Sequence, residues 1–274
     1  MKIKKIAIVT RDALNTEILE PIEKLFSEYG VSTEHKNVND IEDDGFYKNA
    51  DLILTAGGDG TLLAAARKAS IYDKPVIGVN MGHLGFLTAI EVDQIEMLRQ
   101  LFSGEYTIDE RMMLECEYPT DEGTEKSYCL NDIIISRGMY PRMIKPQIRI
   151  SGQLAEEYTA DGIIVSTPTG STAYSLSAGG PIVFPDLDVM TITPICPHSL
   201  NNRSLIVGGK EEVTIECNMS YNPAFLVSCD GSEAKEITDK VVIRKSRYIT
   251  RLVRLKEDGF YSILRKKMSE RSVK

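Results

Sequence analysis

The 274-residue sequence predicts an α/β protein in which a parallel α/β domain is followed by a β-rich domain. Strand-like and helix-like patterns alternate over the first hundred residues, which is typical of crossover units on a parallel sheet. After about residue 105 short apolar runs separated by turn residues replace the helical periodicity. The length allows one large domain or two smaller ones, and the change of pattern favours two.

Six elements are predicted in the first half. Apolar runs predict buried strands at residues 5–10, 51–56 and 75–80. Apolar residues at helical spacing, or strong helix formers, predict helices over residues 14–29, 62–69 and 95–101. Gly30 and Gly104 stop the first and last of these helices. Pro21 either kinks the first helix or marks its true first turn.

The second half is predicted to be mostly β. Its candidate strands are residues 115–118, 133–136, 148–150, 163–166, 213–217, 225–228 and 241–243. Turns are predicted at Gly123, Ser151-Gly152 and Asp230-Gly231. The predicted domains are residues 1–104, residues 105–243 and a basic C-terminal segment, 244–274, which has eleven basic and three acidic residues. The opposite charges favour a solvated tail or a segment that folds back on the acidic remainder of the chain over a dedicated polyanion site.

Composition excludes several classes of function. The net charge of −8 disfavours loose binding to nucleic acid or to an anionic membrane, so the expected partners are small molecules. No apolar run approaches the roughly 20 residues that a membrane-spanning helix needs, and the N-terminus lacks the core of a secretory signal. Five dispersed cysteines and three histidines predict neither a disulfide framework nor a zinc site. A cytoplasmic protein is expected.

A glycine-rich turn follows the predicted strand at residues 51–56. Gly57, Gly58, Asp59, Gly60 and Thr61 lie between that strand and a helix, where backbone amides and the positive helix end favour an anion. We therefore predict phosphate binding by Gly57, Gly58, Gly60 and Thr61. The pattern is neither a Walker loop nor a dinucleotide fingerprint, because the required lysine and third glycine are absent.

Asp59 is the informative residue of this turn. A carboxylate among phosphate oxygens is repelled unless it holds a metal ion or accepts a proton from a hydroxyl nucleophile. Both roles indicate phosphoryl transfer. The alternative is a tight turn in which Asp59 only caps the following helix.

A second candidate region is rich in hydroxyl groups. Residues 166–177 contain many serines and threonines, and small residues near them would let a ligand approach. Tyr174 offers a ring for a base to stack on. A capped short helix followed by a glycine turn is the structural alternative. The ligand expected here is rich in hydroxyls and amides.

Two shorter segments complete the set. Asn131-Asp132 precedes a predicted strand and could bind an adenine edge and a ribose diol, although such a pair is more often a turn. Residues 80–86 follow another predicted strand, at the edge where open parallel sheets bind ligands. Within them, His83 fits a structural role better than that of a base.

In combination these motifs are similar to those of the NAD kinase family. Its members use ATP or polyphosphate to phosphorylate the 2′-hydroxyl of the adenosine ribose of NAD. The resemblance spans most of the chain and rests on residues 57–61, 80–86, 131–132, 161–162 and 167–177, in the family's order. The glycine turn also occurs in lipid kinases, whereas the Thr-Pro-Thr-Gly-Ser-Thr-Ala-Tyr run is more specific. Many members have Asn-Glu in place of Asn131-Asp132, a difference that keeps the charge.

The resemblance implies roles for individual residues. Asp59 would accept the proton of the ribose hydroxyl, Asn131 and Asp132 would bind adenosine, and Asp161 would hold the nicotinamide end. The full set of residues implied to contact the dinucleotide is Asp59, Gly60, Phe86, Asn131, Asp132, Arg142, Thr159, Asp161, Thr172, Ala173, Tyr174, Ser175, Leu176 and Ser177. No metal ligands can be assigned from the sequence.

The resemblance also implies an overall arrangement. It comprises a Rossmann-like N-terminal domain, a C-terminal β domain, NAD in the cleft between them, and a homodimer or homotetramer. It also implies that the final segment, residues 244–274, returns to the N-terminal domain. ATP and NAD would be the substrates, with Mg²⁺ or another divalent cation. Two alternatives stay open at this point: a diacylglycerol or sphingosine-type lipid kinase, and a non-catalytic dinucleotide sensor.

Overall fold

The structure is a computed structural model that describes residues 2–11, 16–40, 44–82, 85–120, 123–139, 142–198, 203–217, 224–255 and 259–272. The chain forms two compact units, Met1–Arg111 with Tyr248–Lys274, and Met112–Arg247. The first is an α/β unit with a parallel sheet, and the second is β-rich and antiparallel, which confirms the predicted fold class. The predicted domain limits after residues 104 and 243 stay predictions.

The described residues contain seventeen strands and six α-helices. The strands are β1 (Lys5–Thr10), β2 (Ser32–Asn37), β3 (Leu52–Gly57), β4 (Val76–Asn80), β5 (Ile90–Glu91), β6 (Thr107–Thr120), β7 (Gly123–Cys129), β8 (Asp132–Ser136), β9 (Pro146–Ile150), β10 (Gln153–Glu157), β11 (Gly162–Ser166), β12 (Val189–Ile195), β13 (Leu205–Gly208), β14 (Val213–Cys217), β15 (Phe225–Cys229), β16 (Lys235–Ile237) and β17 (Val241–Arg254). The helices are α1 (Thr16–Glu28), α2 (Asp44–Lys48), α3 (Asp59–Ile71), α4 (Gln100–Ser103), α5 (Tyr174–Ser177) and α6 (Phe260–Ser272).

The first unit is built on a parallel sheet in the order β2-β1-β3-β4. All three predicted strands are present, and β1 has the predicted limits. Nearly every residue of β1, β3 and β4 is buried, as expected of parallel strands covered on both faces. Thr10 pairs with Ala56, and Gly57 pairs with Asn80, so the carboxyl ends of the three strands share one edge.

The helices of the first unit differ in detail from the prediction. Pro21 lies inside α1, beyond its first turn. Residues 92–99 form a 3₁₀ helix before α4, and this helix is kinked at Gln94, which departs from helical geometry with φ −111°. Gly104 ends α4 in the left-handed conformation, with φ 82°, as its predicted stop requires.

The second unit is almost entirely antiparallel. One sheet has the order β13-β12-β11-β8-β15-β16, while β10, β9, β14 and the start of β17 form another path of paired strands. Both contribute buried side chains to one apolar core, including Ile133, Ile163, Ile192, Val213 and Ile243. The predicted strands are present, several of them longer than expected.

Several strands carry no clear signal in the sequence. Strand β2 is polar, with the sequence Ser-Thr-Glu-His-Lys-Asn, and β10 is mostly exposed. Neither has the apolar alternation by which half-buried strands are recognised. Their pairing with β1 and β9 therefore determines that they are strands.

Candidate active site

The glycine-rich turn connects β3 to α3. Gly58 is the residue before the helix and makes no side-chain cap, and Asp59 is the first helical residue. A Cβ atom at Gly57 would lie 2.4 Å from Thr61 Oγ1, so only glycine fits there. A Cβ atom at Gly58 would meet nothing within 4 Å, which leaves the outer side of the turn open. This geometry suits an anion approaching the start of a helix.

The Asp59 carboxylate is held by a distant loop. The Phe86 N–H donates to Asp59 Oδ2 at 2.9 Å, and the Leu87 N–H donates to Oδ1 at 3.2 Å. The alternative that Asp59 merely caps its own helix is therefore wrong. Each carboxylate oxygen keeps a further acceptor position. Residues 57–61 and the end of residues 80–86 thus come together, while His83 lies outside the described residues.

Two buried polar atoms near this turn have no partner among the described residues. They are Thr61 Oγ1 and Asn80 Nδ2. Thr61 is 1% exposed, and Asn80 pairs with Gly57 across the sheet. Buried polar groups are normally hydrogen-bonded, so each such exception requires an explanation. A bound phosphate or nucleotide would supply acceptors for both donors.

Arg11 brings a positive charge to the same turn. It follows β1, whose carboxyl end lies beside that of β3. Arg11 Nη1 lies 3.8 Å from the position of a Cβ atom on Gly60. Its backbone carbonyl accepts a hydrogen bond from Asn37 at 2.9 Å. No local pattern in the sequence indicates Arg11, because only the pairing of β1 with β3 puts it next to the glycines.

In the second unit, the Asn131-Asp132 turn is held by a carboxylate from another turn. Asp230 accepts hydrogen bonds from the backbone N–H groups of Leu130 at 2.8 Å, Asn131 at 2.8 Å and Asp132 at 3.1 Å. Asp230 adopts φ 50°, a left-handed conformation that Asp tolerates better than most residues. The sequence indicated only a turn at Asp230-Gly231, and it did not indicate what the carboxylate binds.

Asp132 is buried, with 4% of its surface exposed. Burial, together with the neighbouring Asp230 and Cys229, raises the pKa of Asp132 to about 7. The group therefore changes charge near neutral pH. It can accept a hydrogen bond when ionised and donate one when protonated.

The hydroxyl-rich loop packs against this turn. Thr167 Oγ1 donates to the Leu130 carbonyl at 2.6 Å, and the Thr167 N–H donates to the Asn131 carbonyl at 2.9 Å. A Cβ atom at Gly170 would lie 2.1 Å from the Asn131 oxygen, so the approach requires glycine. The structure thus brings two of the predicted segments together within the second unit.

Many hydroxyls of the loop have structural partners. Thr172 donates to the Thr169 carbonyl at 3.2 Å, and Ser175 lies 3.3 Å from the Thr193 hydroxyl. Residues 169–172 form a 3₁₀ turn that is followed by α5. Ala173 and Leu176 are half-buried, whereas Ser177 is exposed and Tyr174 is 44% exposed. The Tyr174 ring is therefore available for stacking.

Asp161, Arg142 and Thr159 lie near the other end of β11. The Arg137 guanidinium donates to Asp161 at 2.7 Å, an ion pair that no local pattern in the sequence indicates. Ile144 pairs with Ala160, which brings the chain after Arg142 beside Thr159 and Asp161. Arg142 is exposed and Thr159 is half-buried.

The two groups of polar residues are separated by the length of a strand. Ser166 pairs with Asp132 at one end of β11, and Gly162 pairs with Ser136 at the other end. Four residues of antiparallel strand span about 14 Å. An extended ligand could therefore reach both groups.

No group of three or more His, Cys, Asp or Glu side chains within the described residues could hold a metal ion. Among the same residues, no helix is long and apolar enough to cross a membrane. The roles predicted for individual site residues stay predictions.

Family models match both parts of the chain. Residues 4–106 match the ATP-NAD kinase N-terminal domain, and residues 130–255 match the ATP-NAD kinase C-terminal domain.

Relatives match over most of their length. The chain is 44% identical over 224 residues to the NAD kinase of Clostridium botulinum (strain Kyoto / Type A2), covering 81% of this chain and 79% of the relative. It is 40% identical over 250 residues to the NAD kinase of Thermoanaerobacter sp. (strain X514), covering 90% of this chain and 84% of the relative.

Two solved structures share the fold. Yeast NADH kinase complexed with NADH superposes with a TM-score of 0.81 at 24% identity, covering 96% of this chain and 86% of that one. An NAD kinase from Archaeoglobus fulgidus in complex with ATP gives a TM-score of 0.79 at 24% identity, covering 96% of this chain and 98% of that one.

Proposed function

The chain belongs to the ATP-NAD kinase family, and we propose that it transfers a phosphoryl group from ATP to the 2′-hydroxyl of the adenosine ribose of NAD, giving NADP. The observation that carries this proposal is the Asp59 carboxylate, fixed by two backbone N–H groups inside an open glycine turn. The matched families and relatives are NAD kinases, so the lipid-kinase alternative gains no support.

The donor phosphates bind at the glycine turn. The start of α3 offers backbone N–H groups and the positive helix end to the phosphate oxygens. The unpartnered Thr61 hydroxyl and the nearby Arg11 guanidinium add a donor and a positive charge. This set takes the place of the lysine that a Walker loop would provide.

Asp59 acts as the general base. Its remaining acceptor positions take the proton of the ribose 2′-hydroxyl while that oxygen bonds to the γ-phosphorus. The bond between the γ-phosphorus and its bridging oxygen breaks, and ADP leaves with that electron pair. The hydrogen bonds from Phe86 and Leu87 keep the carboxylate oriented during the step.

A divalent cation, Mg²⁺ in the simplest case, fits the residues present. Magnesium is usually held by one or two carboxylates, substrate phosphates and water, so a dedicated cluster of protein ligands is not required. Asp59 is the carboxylate of the glycine turn that could contact such an ion. When bound, the ion neutralises charge on the transferring phosphate.

The second unit supplies the residues for the dinucleotide. Asn131 and Asp132 bind the adenosine portion, Tyr174 stacks on a ring, and Asp161 holds the nicotinamide end. The strand-length separation of these groups supports this division of roles. The remaining residues proposed to line the site are Gly60, Phe86, Arg142, Thr159, Thr172, Ala173, Ser175, Leu176 and Ser177.

A homodimer or homotetramer in the cytoplasm is proposed on the family resemblance. The free thiols of Cys116, Cys129, Cys196 and Cys229 suit a reducing compartment.

The test is NADP formation by the purified protein with NAD, ATP and Mg²⁺, followed with an NADP-specific dehydrogenase. Asp59→Asn should lower kcat by about 10² to 10⁴ while NAD binding is retained, since removal of a general base costs that much. The matched control is Asp73→Asn, because Asp73 is an exposed aspartate of the same unit.

Equal turnover by wild type and Asp59→Asn would refute the assignment of the base. If no NADP formed with either ATP or polyphosphate while NAD still bound, the chain would instead be a dinucleotide sensor.

A further inference from the structure

The loop of residues 85–88, which binds the Asp59 carboxylate through its N–H groups, is bound through its carbonyl groups as well. The N–H groups of Phe86 and Leu87 donate to the Asp59 carboxylate. The Gly85 N–H donates to Thr88 Oγ1 at 3.2 Å, which closes the loop into a tight turn. A Cβ atom at Gly85 would lie 1.9 Å from Asp59 Oδ1, so loop and carboxylate are in direct contact. Any movement of residues 85–88 therefore moves the hydrogen bonds on Asp59.

Arg254 binds the carbonyl side of the same loop. Its Nη1 donates to the Leu87 carbonyl at 2.9 Å, and it lies 3.5 Å from the Thr88 carbonyl. Leu87 is thus bound at both of its polar backbone groups, with its N–H on Asp59 and its carbonyl on Arg254. Residue 254 is far from residue 59 in sequence, and only the return of β17 to the first unit brings them together.

The Arg254 side chain is anchored by an ion-pair network. Its Nε donates to Asp109 Oδ2 at 3.1 Å, and Asp109 also accepts two hydrogen bonds from Arg111, each of 2.6 Å. The Arg254 side chain is 15% exposed. Burial lowers the pKa of Arg254, whereas the charge of Asp109 raises it. A guanidinium normally stays charged in proteins, so the loop is held by a fixed cation.

We propose that Arg254 is a positioning residue for phosphoryl transfer, which fixes residues 85–88 and through them the orientation of the Asp59 carboxylate. The inference rests on the proposed function, because Asp59 is its base. Arg254 binds two backbone carbonyls and Asp109, and it acts on the reaction through the loop. A misplacement of about 1 Å in a catalytic group can cost about 10²-fold in rate. The effect of Arg254 is therefore expected in kcat rather than in KM.

The first test substitutes the side chain directly. Arg254→Met keeps an unbranched apolar stem and removes the hydrogen bonds, and it should lower kcat about 10- to 100-fold with small changes in KM for ATP and NAD. Arg254→Lys, which keeps one charged donor, should recover part of the loss. Arg251→Met is the matched control, since Arg251 lies on the same strand and pairs with the surface residues Asp73 and Glu110. It should leave kcat unchanged.

The second test separates positioning from a general structural role. Arg254→Met in the Asp59→Asn background should cost less than about 3-fold in the residual rate, because the group through which Arg254 acts has already been removed. The same loss in both backgrounds, or wild-type kcat for Arg254→Met, would overturn the proposal. If Arg254→Met does not fold, Arg254→Lys is compared in the wild-type and Asp59→Asn backgrounds instead. An equal loss of kcat in both backgrounds would again overturn the proposal.

Failure of this inference can be distinguished from failure of the proposed function. A wild-type protein that makes no NADP contradicts the function. A wild-type protein that makes NADP, and loses activity on Asp59→Asn but not on Arg254→Met, contradicts only the role of Arg254.

Discussion

At the scale of single residues, burial makes the charge of Asp132 sensitive to pH near neutrality. Its pKa is raised to about 7 by burial, by Asp230 and by Cys229, whereas an unfolded chain has an aspartate pKa near 3.8. Between these two values the folded protein binds a proton that the unfolded chain has released. The contribution of Asp132 to the stability of the fold therefore falls as pH rises from about 4 to about 7, and it is constant above that range.

The direction of this pH dependence gives a prediction for Asp132→Asn, a substitution that keeps the shape of the side chain and removes its titration. The variant should be more stable than wild type at pH 8, by up to about 4 kcal/mol, because wild type then ionises a buried group. The difference should shrink towards pH 4. Urea unfolding at several pH values measures it, and Asp73→Asn is the exposed control. A stability difference that does not vary with pH would contradict the pKa given for Asp132.

At the scale of elements, the turn at Asp230 holds the turn at Asn131 in place. Asp230, between β15 and β16, accepts hydrogen bonds from three successive N–H groups, two in the turn before β8 and one from the first residue of β8. Thr167 binds the carbonyls of Leu130 and Asn131, so both polar sides of that turn are held. The position of Asn131 and Asp132 is thus a property of three segments together.

Loss of the Asp230 carboxylate should weaken NAD binding. Asp230→Ala leaves three N–H groups without their partner and puts Ala in a left-handed conformation, so we expect a loss of about 3 kcal/mol in stability and a roughly 10-fold weaker Kd for NAD. Asp230→Asn tolerates the same φ value and keeps one acceptor oxygen, and it should lose less on both measures. Calorimetric titration with NAD and urea unfolding provide the two readouts. An unchanged Kd in a folded Asp230→Ala protein would show that this turn does not bind NAD.

At the scale of the whole molecule, the first unit is assembled from two distant parts of the chain. Tyr248–Lys274 belongs to it together with Met1–Arg111. Val253 and Leu255 are buried in the same apolar core as Ile6, Leu54 and Ile77. The described side chains of α6, by contrast, are exposed or half-buried.

Two truncated chains, one without these core residues and one that keeps them, should therefore differ sharply in stability. A chain that ends after Arg247 loses Leu252, Val253 and Leu255 from the core, and each buried side chain of this kind contributes about 1.5 to 3 kcal/mol. We expect its first unit to unfold, whereas a chain that ends after Leu255 should keep its fold. Circular dichroism during thermal unfolding compares them, since the protein has no tryptophan for fluorescence. Equal melting of the two truncated chains would argue against the contribution of β17 to this core.

The amino-acid sequence by itself determined the elements that depend on neighbouring residues. The buried strands β1, β3 and β4 follow from local apolar runs, and the glycine turn at residues 57–61 follows from the strand and helix on either side of it. These features are readable because hydrophobic periodicity and turn chemistry act within a short window of the chain.

Only the tertiary structure decided what holds the candidate site in place. The partners of Asp59 are 27 and 28 residues away, the Asp230 contacts span about a hundred residues, and Arg254 reaches Leu87 across 167. No local pattern encodes such pairs, because they arise from the path of the backbone and from the pairing of polar strands such as β2. Hydrogen bonds are short-ranged in space but not in sequence, so the fold alone determines which carboxylate or guanidinium meets which peptide group.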